Sequence, residues 1–162
     1  MNTLPWSRPL TRADLDAWPE DGRRHELIDG CLLLTPVPTL AHQSAVGELS
    51  VCLHEARRSG DLVLHGPFDV VLAADTVVRP DLVVAPRAAY TERDLPVAPD
   101  LIVEVLTTNT RWIDLHVRFH RYEQAGVAAY WWIPTRRVSL RGNCKTGHTC
   151  RSRRSPATKR QR

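Results

Sequence analysis

Two stretches of this chain are built almost entirely from strand-forming, apolar residues, and each is interrupted by a single acid. The first is RPDLVVAP at 79–86, with Asp81; the second is LIVEVL at 101–106, with Glu104. Their β-branched content predicts buried strands. An ionised carboxylate in such a place is costly unless it is paired or bound to a cation. Two carboxylates on neighbouring strands would also repel each other, and a divalent metal would turn that repulsion into a site. The plainer alternative is a pair of half-buried acids satisfied by backbone N–H groups or by a nearby arginine. The segment that follows is helical in pattern and carries Asp114, Arg118 and Tyr122 at four-residue intervals, just beyond the Glu104 strand. Two strand carboxylates and a helix cation form a constellation suited to a metal-dependent phosphodiesterase.

The rest of the chain is consistent with one domain around these strands. Thr11 is placed to cap a short helix running to about Ala17, with Asp14 in its first turn. Residues 25–34 read as a β-hairpin turning at Asp29-Gly30. A helix is predicted over about 40–59, with Val46, Leu49, Leu53 and Ala56 at helical spacing and His42 one turn before Val46. Strands follow at 62–64, 68–73, 77–85, 101–106 and 130–133. A second long helix is expected to start at Asn109 or Thr110 and to bury Trp112, Leu115, Phe119 and Tyr122. The fold class is therefore α/β (α+β), a mixed sheet flanked by helices.

The net charge of +4 misleads about partners. Residues 135–162 hold ten Lys or Arg and no acid, so residues 1–134 set the other twelve basic groups against all 18 acids, a net of −6. The basic character belongs to the tail, and overall charge is no argument for nucleic-acid binding. Beyond Leu140 the only aliphatic residue is Ala157, too little to offset the ordering entropy of the segment, which predicts disorder over 141–162. Residues 136–140 could add one short strand. Cys144, His148 and Cys150 lack the paired spacing of a zinc motif, and Cys31 and Cys52 are expected to be reduced. No apolar run is long enough to span a bilayer and no signal-peptide pattern opens the chain, so the expected location is cytoplasmic, with no membrane partner.

Taken together, VVRPDLVVAP (77–86), LIVEVLTTNTR (101–111) and DLHVRFHRYEQAGVAAYWW (114–132) resemble the Uma-two family, a branch of the PD-(D/E)xK nuclease superfamily. HELIDG (25–30) and TLAHQSAVGEL (39–49) resemble that family's first hairpin and helix. The resemblance covers about residues 11–134 of a domain placed at 1–140. It implies a restriction-endonuclease-like core, a magnesium or manganese ion, and DNA as substrate, with a homodimer as an implied partner. Asp81 and Glu104 match the two metal-binding acids, and Glu26 matches an acid near the metal. His42, Asp114 and Tyr122 match recurrent accessory positions. Leu106 stands where the superfamily pattern has lysine; in this branch that lysine has moved to the helix position held here by Arg118. The implied catalytic set is thus Asp81, Glu104, Arg118 and Glu26.

The chain departs from the family at two points. Arg118 replaces the usual lysine, and after the YWW strand the pattern fades into the basic tail. The second departure suggests a frameshift or truncation, which translation of the other reading frames beyond codon 134 would test. The implied activity is metal-dependent hydrolysis of DNA. The alternative is a catalytically inactive nuclease-fold protein that binds nucleic acid or a protein partner.

Overall fold

The computed structural model describes residues 8–107 and 112–135. In chain order the elements are α1 (Arg12–Asp16), β1 (Arg24–Ile28), β2 (Cys31–Thr35), α2 (Leu40–Ala56), β3 (Asp61–His65), β4 (Asp69–Ala73), β5 (Thr76–Val78) and β6 (Leu82–Pro86). A short 3-10 turn then leads to β7 (Asp94–Leu95) and β8 (Leu101–Leu106). A π-helical turn, Ile113–Arg118, runs directly into α3 (Phe119–Gln124), and β9 (Tyr130–Pro134) follows. The sequence calls for mixed sheet and helices, and that is the architecture found, though the strands divide into two sheets.

One sheet has the order β2-β1-β5-β4-β7, the other β3-β6-β8-β9. Each is mixed: β4 with β7 and β8 with β9 run parallel, and the other pairings are antiparallel. Strand alternation sorts the side chains into three layers of core. Ile28, Val70, Val78 and Leu95 of the first sheet share one cluster with Val83, Ala85 and Ile102 of the second, together with Tyr122. The other face of the second sheet, including Leu82, Val84, Val103 and Val105, packs under Ala45 and Val46 of α2. The other face of the first, Leu27 and Val77, is covered by Leu15 of α1.

Local chemistry accounts for the elements. Asp29 and Gly30 both take positive φ, 53° and 71°, and so close the β1–β2 hairpin with the expected two-residue turn. Asp14 accepts hydrogen bonds from the Thr11 N–H and hydroxyl, fastening the start of α1. Thr39 caps α2 by accepting from the His42 N–H at 3.3 Å.

Two expectations need correction. The strand expected at 77–85 is two strands, because Pro80 has no N–H to continue a ladder. The chain leaves the first sheet after Val78, passes through Arg79-Pro80-Asp81, and enters the second at Leu82. Of the apolar row assigned to it, the second long helix fully buries only Tyr122. Trp112 is 66% exposed, Leu115 and Phe119 are only partly covered, and the buried row is Asp114, Arg118 and Tyr122. A π turn is wider than an α turn, so residues four apart come nearer to one line. Asp114 and Arg118 carry opposite charges on that row, 3.4 Å apart. The helix start at Asn109 or Thr110, the strand at 136–140 and the whole tail lie outside the described residues. Among those described, no helix is long and apolar enough to cross a membrane.

Gly66 fixes the sheet-to-sheet crossing. Its N–H donates to the Asp81 carbonyl at 3.0 Å, and a Cβ built on it would lie 2.7 Å from the Pro80 carbonyl oxygen. Gly66→Ala must therefore displace backbone rather than a side chain. The expected cost is about 1–3 kcal/mol, typical of overpacking, read as a thermal midpoint several degrees lower. An unchanged midpoint would show that the crossing tolerates movement.

Candidate active site

The site lies where the two sheets meet. Register aligns Leu82 with Val103, which sets Asp81, one residue before β6, opposite Glu104 in the middle of the fully buried β8. Glu104 has the same parity as Ile102 and therefore points between the sheets. Glu26 shares its parity with Ile28 and points into the same space from the first sheet. Glu26, Asp81, Glu104, Asp114 and Arg118 are all buried, between 0% and 7% exposed.

Arg118 lies among these acids. Its Nη1 donates to Glu104 Oε1 at 2.7 Å, and its Nη2 donates to Glu26 Oε2. Its Nε lies 3.4 Å from Asp114 Oδ1. The i,i+4 pair of Asp114 and Arg118, ordinarily a feature of exposed helix faces, is thus wholly internal. Burial alone would lower the arginine pKa, but Glu104 and Glu26 raise it well above its ordinary value, so the guanidinium stays charged. Tyr122 donates its hydroxyl to the same Glu104 oxygen at 2.8 Å. Burial, then the Glu104 charge, holds the phenol well above its usual pKa, so it acts as a neutral donor.

Glu26 is saturated with donors. Oε2 also accepts from the Thr35 hydroxyl at 2.7 Å, and Oε1 accepts from the Arg79 N–H at 2.5 Å. Asp81 is held through Oδ2, which accepts from the Val105 N–H at 2.7 Å and lies 3.1 Å from His42 Nε2. Both acids singled out in the strands therefore have the protein partners of the plainer alternative, a backbone amide for Asp81 and an arginine for Glu104. Asp81, Glu104, Asp114, Arg118 and His42 nonetheless line one cavity of about 100 Å³, and all but the closed-off Glu26 and Tyr122 of the expected set meet there.

Arg24 also lines the cavity and was not singled out from the sequence. Its guanidinium is 3.8 Å from Glu26 Oε1 and 3.9 Å from Asp81 Oδ1. The available signal was parity, because Arg24 and Glu26 are two apart on one strand and share a face. Thr35, paired with Arg24 across the hairpin, was likewise invisible until the register was known.

The carboxylates outnumber the cations around them, and Glu104 registers the imbalance. Burial pushes its pKa from 4.5 up to about 8; Arg118 pulls the other way, and Asp81, Asp114 and Glu26 add to the rise. Among the described residues, no group of three or more His, Cys, Asp or Glu side chains is disposed to hold a metal ion. A carboxyl whose folded pKa lies above its unfolded one contributes stability that is full below 4.5 and lost as pH rises through about 8. In a chelator-containing buffer the melting midpoint is therefore expected to fall across that interval, and Glu104→Gln should flatten the slope. Equal slopes in the two proteins would assign the dependence to another group.

Comparison with known proteins places this geometry in context. A solved structure described as a "putative nuclease belonging to DUF820" from Anabaena variabilis is similar to the chain, with a TM-score of 0.64 at 17% identity. The alignment covers 78% of this chain and 74% of that one, so the likeness is one of fold. No curated protein matches the sequence. The family model described as "Putative restriction endonuclease", Uma2, matches residues 12–157, past the residue-134 limit of the motifs. With that pattern running through most of its length, the chain belongs to the Uma2 family.

Proposed function

We propose that the chain is a metal-dependent endonuclease that hydrolyses phosphodiester bonds of DNA. The observation that carries this reading is the pairing of Asp81 and Glu104 in one cavity with an excess of buried negative charge. Hard oxygen donors of this kind suit magnesium or manganese. Magnesium commonly takes one or two carboxylates and fills its other positions with water and substrate phosphate. A two-carboxylate site needs no third protein ligand, so the donor set fits the ion. Asp81 and Glu104 would hold it. When bound, it lowers the pKa of a water and offsets charge on the phosphoryl group.

The remaining residues have roles that follow from their contacts. The Val105 N–H and His42 orient Asp81, and Tyr122 and Arg118 orient Glu104. Arg118 supplies fixed positive charge. It does not serve as a general base, because a guanidinium does not lose its proton under these conditions. Arg24, at the rim, is placed to meet a phosphate oxygen. A second reading, a catalytically silent nuclease-fold protein that binds nucleic acid or a partner, is favoured by one observation: both terminal nitrogens of Arg118 are already committed to carboxylates.

Cleavage of single- and double-stranded DNA with magnesium or manganese separates the two. The native protein is expected to cut. Asp81→Ala should lose more than the roughly 10- to 100-fold typical of an outer-shell change at a metal site. Arg118→Lys should cut at least as fast as the native chain. If folded samples of both the native protein and Arg118→Lys leave DNA intact, the hydrolytic reading fails and the binding reading replaces it.

A further inference from the structure

Beside the carboxylate cavity lies a larger groove of about 490 Å³, and the two share Arg24, His42, Asp81 and the loop 35–38 as a common wall. Pockets of this volume hold small-molecule-sized groups. The groove's apolar side is formed by Leu34, Pro36, Val37, Pro38, Val46 and Pro67. Leu34 and Val37 are 47% and 89% exposed, so apolar surface is presented to solvent at the mouth. Proline has no N–H, so the loop offers flat apolar faces rather than donors.

The polar groups of the groove point to an anionic, partly apolar occupant. Arg23 and Arg24 are the cations of its wall, and Asp81 is its one acid. The Arg24 Nε is buried and has no hydrogen-bond partner among the described residues. The same holds for His42 Nδ1, on a side chain that is only 9% exposed. Gln43 adds an amide able both to donate and to accept. A nucleotide combines a charged phosphate, a flat apolar base and a hydrogen-bonding edge, and it matches this lining.

We propose that the groove receives an unstacked nucleotide next to the phosphate at Asp81 and Glu104, so that the protein engages single-stranded or unpaired nucleic acid in preference to intact duplex. The inference rests on reading the adjoining site as one for nucleic acid. A base within duplex must first be unpaired and unstacked to enter, at a cost in free energy that a single strand largely avoids.

The test is fluorescence anisotropy of the full chain with a short fluorescein-labelled DNA strand and with its blunt duplex. Calcium serves as the divalent ion in both titrations. The single strand is expected to bind at least about tenfold more tightly, the scale of one base packed on a protein surface. Leu34→Ser, at a half-exposed position that lines the groove and not the carboxylate cavity, should remove that advantage and leave duplex affinity unchanged, with its melting curve confirming the fold. Equal affinities for the two DNAs, or a Leu34→Ser effect equal on both, would overturn the proposal. Turnover with magnesium, measured separately, keeps the two readings apart. Strand preference without cleavage upholds the groove and sinks hydrolysis, cleavage without preference does the reverse, and binding to neither DNA removes both.

Discussion

A guanidinium buried between carboxylates of two different sheets is the interaction on which this structure turns. Glu26 comes from the first sheet and Glu104 from the second, and Arg118 donates to both from a helix packed against them. Each of these groups pays heavily to leave water, and together they recover it only because the geometry closes. Removing the arginine alone would leave two acids buried without their cation, a change that in other proteins costs about 3–5 kcal/mol. The pair is thus a poor source of net stability and a strong source of specificity, since few other packings of these two sheets could satisfy all three charges.

The rest of the site follows from how that contact is reached. Pro80 ends one ladder, Gly66 lets the chain turn beneath it, and Asp81 emerges at the point of transfer between sheets. Its carboxylate meets the Val105 amide from β8 and His42 from α2, so two elements converge on one residue. The π turn is part of the same solution, because it lets Asp114, Arg118 and Tyr122 present one face to the acids.

Much of this was legible in the chain itself. Single acids within apolar strands mark Asp81 and Glu104 because nothing in strand formation requires them there. Asp29-Gly30 marks the hairpin because its backbone demands positive φ. The burial of Arg118 was not legible in the same way. A helix carrying Asp114 and Arg118 four apart has the pattern of a solvated face, and only the position of Glu26, 92 residues earlier in the chain, makes it an interior one. The division into two sheets was hidden for a related reason. A run such as 77–85 keeps its strand-like composition across a break, and the partner strands that decide its sheet are remote in sequence. Thr35 owes its place in the site to cross-strand register, which composition does not encode.

An arginine at position 118 limits what the site can do with protons. A lysine among acids can exchange its charge with the surroundings, whereas Arg118 is cationic at every accessible pH. The protonic freedom then falls to the carboxylates, and Glu104, raised to about 8 chiefly by burial, is the group that uses it. A proton on Glu104 and a divalent cation beside it relieve the same excess of negative charge, so the two are alternatives. On the proposed reading, uptake of a cation at Asp81 and Glu104 would expel that proton. In a site with a fixed arginine, metal occupancy and the protonation of Glu104 would then be one equilibrium.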